Sequence, residues 1–181
     1  MKKIIAVLIL SLMLTACGTR KHHMAFVGDC TSIPATAKYT VKAPVDNSKY
    51  DPNAKGAEQI VLTESMDTAL VAELKKHDLY AEDPSSAYTI FPTITEYNPG
   101  NAFGRWLMPG VGSTKLLVSS SVLNSEGSEL GVINSKNTVD AGGGYTIGAW
   151  KYVFEQAAVE IVEEVRESMG LLVEKDKKSK K

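Results

Sequence analysis

"KLLVSSSVLNSEGSELGVINSKNTV", residues 115–139, decides the fold. Two runs rich in β-branched and apolar residues flank the polar tetrapeptide Asn124-Ser125-Glu126-Gly127. A glycine closing a short polar loop between two strand-like runs predicts a β-hairpin, with Gly127 in the left-handed conformation and the register pinned there. Strands joined this tightly are antiparallel, so the sheet is expected to grow outward from this pair.

Working toward the N-terminus, "AYTIFPTITEY" (87–97) is a further β-branched and aromatic run. Its faces read Tyr88, Ile90, Ile94 and Phe91, Thr93, Thr95, Tyr97. Pro92 cannot donate a ladder hydrogen bond, so an edge or a bulge is expected there. Before it, Ala57 to Leu79 carries apolar residues at Val61, Met66, Ala69, Leu70, Leu74 and Leu79, with Glu64, Asp67, Glu73 and Lys76 on the wet face of an amphipathic helix. "KYTVKAPV" (38–45) alternates Tyr39, Val41, Ala43 and Val45, the period of a half-buried strand. Toward the C-terminus, Trp150, Phe154, Ala157, Ile161, Val165 and Met169 follow Ile147 at intervals of three or four residues, against Lys151, Glu155, Glu160, Glu163, Glu164 and Glu167. Gly170 is the expected C-cap. The order β-α-β-β-β-α predicts an α+β domain: an antiparallel sheet of about four strands with two helices packed on one face.

The chain opens with a basic pair, Lys2 and Lys3, and a largely apolar run from Ile4 to Leu14. Eleven residues at about 1.5 Å each cover roughly half a bilayer core, so this reads as a signal peptide and not a spanning helix. The run ends Leu14-Thr15-Ala16-Cys17, which resembles the lipobox of bacterial lipoproteins. That resemblance implies cleavage before Cys17, a diacylglycerol on its sulfur and an acyl group on its new amine. Three chains anchor a protein effectively for good, since each buried methylene contributes about 0.8 kcal/mol. Gly18 follows the cysteine, where an aspartate would favour the inner membrane, so the expected address is the periplasmic face of the outer membrane.

The expected organisation is therefore a signal peptide (1–16), a lipidated N-terminus and tether (17–37), one periplasmic α+β domain (38–172) and a disordered lysine-rich tail (173–181). Removing residues 1–16 takes away Lys2 and Lys3 and moves the formal charge from −1 to −3. So small a net charge, with no basic stripe inside the domain, excludes a nucleic-acid partner. With Cys17 acylated, Cys30 is the remaining thiol, and an intrachain disulfide is excluded. His22 and His23 have no further ligands at workable spacing, so no metal site is expected there.

Catalytic signatures are absent from the sequence: there is no G-x-S-x-G, H-E-x-x-H or C-x-x-C, and His77 is the only histidine in the expected domain. No cofactor is implied. Two glycine-rich segments stand out instead. "GNAFGRWLMPGVGSTKL" (100–116) carries Gly104, Gly110, Gly112, Arg105 and Trp106, but it leads into a strand and so fails the phosphate-loop pattern. "DAGGGYTIGAW" (140–150) places Gly142, Gly143 and Gly144 ahead of the last helix, where free amides could meet an anion; Asp140 nearby opposes this. The hairpin should make these segments neighbours. Trp and Arg are the residue types of interface anchors, so the composite surface is the expected docking site for an envelope protein partner; a loop folded back to cap the core, with Arg105 in water, and a loop that dips into lipid are the other readings of these residues. The alternative is a ligand-binding or hydrolytic domain acting on a lipid, a glycan or a small anion.

The pattern resembles bacterial lipoproteins carrying the domain of unknown function numbered 4410. The matching parts are the lipobox at Cys17, "ALVAELKKHDLY" (69–80), "AYTIFPTITEYNPG" (87–100), the loop with Gly104, Arg105, Gly110 and Gly112, the turn "LNSEG" (123–127), and Gly142 to Gly144. The likeness covers about residues 38–170. More distantly the layout looks like small periplasmic modules of outer-membrane lipoproteins, including activators of peptidoglycan synthases. It implies a non-enzymatic envelope protein and brings no catalytic residues.

Overall fold

A computed structural model describes residues 27–28, 33–53, 59–101, 111–140 and 149–171 of the chain. These form β1 (Val27–Gly28), β2 (Tyr39–Val41), β3 (Val45–Asp46), α1 (Leu62–Lys76), β4 (Tyr88–Asn98), β5 (Thr114–Leu123), β6 (Glu129–Val139) and α2 (Ala149–Ser168). The signal peptide and the tail 173–181 lie outside the described residues.

The hairpin forms as expected. β5 and β6 pair antiparallel from Thr114 opposite Val139 to Val122 opposite Gly131. Asn124 organises the turn, its Oδ1 accepting from the amides of Glu126 (3.0 Å) and Ser128 (2.8 Å), and Gly127 sits at φ 82°. β4 adds antiparallel on the other side of β5. The strand order is β1-β6-β5-β4-β2, with β3 also on β4.

The first expected strand behaves differently. It breaks at residues 42–44, which include Pro44, into β2 and β3, and both pair parallel to β4. The sheet is antiparallel in its body and parallel at this edge, because α1 carries the chain back between β3 and β4 as a crossover. Pro92 fits the break. The Tyr88 amide and the Ile90 carbonyl both bond toward the β2 side, so the two-residue period turns the Pro92 nitrogen the same way. There β2 ends opposite Ile90 and β3 begins opposite Thr93, leaving no ladder bond for Pro92 to miss. The bulge falls further on, between Ile94 and Glu96, and turns Tyr97 to the inner face, where it is 6% exposed.

Because β2, β4 and β6 run the same way, they finish at one end of the sheet, called here the upper end. Each helix returns against the strand before it, so α1 and α2 run parallel and both begin at the upper end. They cover one sheet face. Between them and the sheet lie Met66, Leu70, Leu74, Ile90, Leu116, Ile133, Phe154 and Ile161, none more than 1% exposed. The Phe154 ring stacks on Tyr97 at 5.7 Å, and Tyr50 meets Tyr97 edge-on at 5.0 Å. On the helices three side-chain assignments change, and in the edge strand Ala43 and Val45 are exposed instead of half-buried. Val61 lies outside α1 and is exposed, not part of the apolar stripe. Glu73 is buried, holding Lys76 Nζ and His77 Nε2 each at 2.9 Å. Glu160 faces the sheet. The folded body also reaches into the expected tether: Val27 and Gly28 pair with β6, and Ile33 and Ala37 are buried in the core.

Candidate interaction surface

Among the described residues, the long connection between β4 and β5 is closed by a neck at the upper end. The Asn98 side chain accepts from the Gly100 amide at 2.8 Å, turning the chain out of β4. The Asn101 amide then donates to the Gly112 carbonyl at 2.9 Å, and buried Thr114 donates its hydroxyl to the Pro99 carbonyl at 2.7 Å. Gly100 (φ 67°) makes this approach possible, since a Cβ there would stand 2.2 Å from the Gly112 oxygen. Gly112 itself adopts φ 74°.

Of the expected docking residues, Gly112 is therefore placed in the neck. Gly104, Arg105, Trp106 and Gly110 lie outside the described residues, in 102–110, as do Gly142, Gly143 and Gly144, in 141–148, and the lipidation residue Cys17. The roots of the two glycine-rich segments are described, however, and they are adjacent. Thr114, two residues past Gly112, is the register partner of Val139, after which the second segment departs.

A groove of about 960 Å³ lies between the two helices. Ser65, Ala69 and Ala72 of α1 form one wall, Trp150 and Phe154 of α2 the other, with Val61 beside the start of α1. The small side chains on α1 leave the space, half-buried Trp150 supplies apolar area, and Glu64, Lys76, Lys151 and Glu155 also line it. The groove was not legible in the sequence, where Ala69 read as part of the apolar stripe and nothing recorded how closely the two helices approach.

Other polar and titratable groups lie elsewhere. Beneath α2, the Ser135 hydroxyl donates to Glu160 Oε2 at 2.7 Å, and the Asn137 amide donates to Ser135 Oγ (2.7 Å) and Glu160 Oε2 (3.0 Å). Ser135 and Asn137 are 3% and 0% exposed, so this knot ties helix to sheet and admits no substrate. Alternation in β6 placed Ser135 and Asn137 on its inner face, which was the available signal for a polar partner on α2. His77 caps the far end of α1, at the opposite end from the roots of both glycine-rich segments. Tyr39 is buried beside Tyr88, and burial, then the neighbouring phenol, pushes its ionisation up and keeps it neutral. Among the described residues no group of three His, Cys, Asp or Glu side chains can hold a metal, and no helix is long and apolar enough to cross a membrane.

No curated protein matches the chain. Among solved structures it is similar to PelC of Paraburkholderia phytofirmans, crystallised as a dodecamer, at 12% identity over 79% of this chain and 97% of that one, with a TM-score of 0.48. It is also similar to a minor lipoprotein of Acinetobacter baumannii, at 12% identity over 75% of this chain and 94% of that one, with a TM-score of 0.42. A family model matches residues 36–143, a span that contains α1, the strands β2 to β6 and the neck. The chain belongs to the family described as "Domain of unknown function (DUF4410)".

Proposed function

We propose that this protein is an envelope lipoprotein, held through acylated Cys17 at the periplasmic face of the outer membrane, that works as a non-enzymatic interaction module. Its working surface is the upper end of the sheet, where the segments carrying Arg105, Trp106 and Gly142 to Gly144 leave the fold. The observation that supports this reading is the common root of those segments: Thr114 and Val139 are register partners, and the Gly100–Gly112 neck holds the first segment at that point. The position of His77 at the opposite end gives no support to a hydrolytic site among the glycines.

A second reading, binding of a lipid-like ligand, is favoured by the groove between Ala69, Ala72, Trp150 and Phe154. Photo-cross-linking in intact cells separates the two. A photoreactive residue in place of Trp106 should capture a protein that the same probe in place of Glu126, on the hairpin turn, does not. Equal yields from both positions would count against docking at the upper end.

A further inference from the structure

We infer that the upper end of the sheet faces and seats on the bilayer that holds the Cys17 lipid. This rests on the lipid-anchor reading and deepens it by giving the domain an orientation. The first support is the direction of β1. It pairs antiparallel to β6, Val27 opposite Val132 and Gly28 opposite Gly131, so its N-terminal side points along β6 toward Val139 and the upper end. From Val27 back to Cys17 is ten residues, with a reach of at most about 33 Å. Seven residues of β6 separate Val132 from Val139, about 24 Å at 3.4 Å each. β1 therefore enters from the upper-end side, and the reach that remains past the level of Val139 is no more than about 9 Å. The expected tether is shortened by the residues that join the sheet and the core.

The second support is independent of the tether. Large apolar side chains exposed among the described residues include Val61 (58%), Val111 (46%) and Tyr152, all at the upper end: just before α1, in the neck, and in the first turn of α2. Val45 lies halfway along the sheet, and Leu171 is beyond the C-terminal end of α2. Trp150, in the same first turn, is half-buried and packs against the core. Exposed aliphatic and aromatic side chains gathered at one end suit the boundary between headgroups and acyl chains. A protein docking at this end must then lie in, or on, the same membrane.

The test uses the full-length acylated protein, with Cys30→Ser, in vesicles of phosphatidylethanolamine and phosphatidylglycerol. An environment-sensitive fluorophore is attached in turn to Val61→Cys, Val111→Cys and Glu126→Cys. All three lie at exposed positions, so the fold is retained. β5 separates the two ends by about 34 Å. Nitroxide-labelled lipid should quench the first two probes at least twofold more than the third. Stronger quenching at Glu126, or none anywhere although the protein floats with the vesicles, overturns the orientation and leaves the anchor standing. A protein that neither incorporates labelled palmitate nor floats overturns both.

Discussion

Gly100 carries two constraints that no other residue type meets together: a left-handed φ of 67°, and a carbonyl oxygen 2.2 Å from where a Cβ would be. Gly127 carries only the first, since nothing lies within 4 Å of its added Cβ. Gly127→Ala should therefore cost about 1 kcal/mol, the left-handed penalty alone. Gly100→Ala should cost about 3 kcal/mol, because the neck must also part and lose the Asn101–Gly112 bond. Urea unfolding of both variants checks the ranking, and equal losses would show that the neck gives way freely. The conformation of Gly127 was legible in the sequence from its turn; that of Gly100 was not, because its partner Gly112 is twelve residues away. Asp83 offers a test in pH. It accepts from the Ser85 amide at 2.9 Å, and that bond holds its carboxyl below the usual value. A folded-state pKa that is depressed contributes stability above the unfolded value, near 3.9, which is lost as pH falls through the folded value. The stability gap between wild type and Asp83→Asn should accordingly narrow on acidification below about pH 4; a constant gap would remove the carboxylate from the account.

At the scale of elements, the hairpin, the last helix and the β-α-β-β-β-α order follow from period and turn chemistry. The parallel pairing of β2 and β3 with β4 does not, since no local pattern records which side of a partner strand a returning chain will take. Pro44 and Pro92 hold part of that information: one lies where the edge strand breaks, the other faces the gap between β2 and β3. Helical periodicity likewise placed Glu160 with its acidic neighbours, yet it sits over Ser135 and Asn137 and joins α2 to β6. Glu160→Ala should cost about 1–3 kcal/mol by stranding the buried Asn137 and Ser135 donors. Glu167→Ala, on the exposed side of the same helix, should change stability by less than about 0.5 kcal/mol. Thermal melts of the two variants decide this, and a Glu160→Ala variant as stable as Glu167→Ala would deny the knot its joining role.

For the whole molecule, one end of the sheet gathers the starts of both helices, the neck, the root of the second glycine-rich segment and the direction from which β1 arrives. The adjacency of the roots of the two glycine-rich segments was legible as soon as the hairpin was. The contribution of residues 27–37 was not, because Ile33 and Ala37 are spaced too irregularly to mark a core-facing stripe, although both are buried. That early engagement sets β1 ten positions after Cys17. The whole account depends on Cys17 being the acylated first residue of the mature chain. Mass analysis of the N-terminal peptide of the protein purified from membranes tests this most directly. The account predicts a peptide beginning at Cys17 and carrying a diacylglyceryl group and an N-linked acyl chain; a peptide that begins elsewhere, or an unmodified Cys17 thiol, would contradict it.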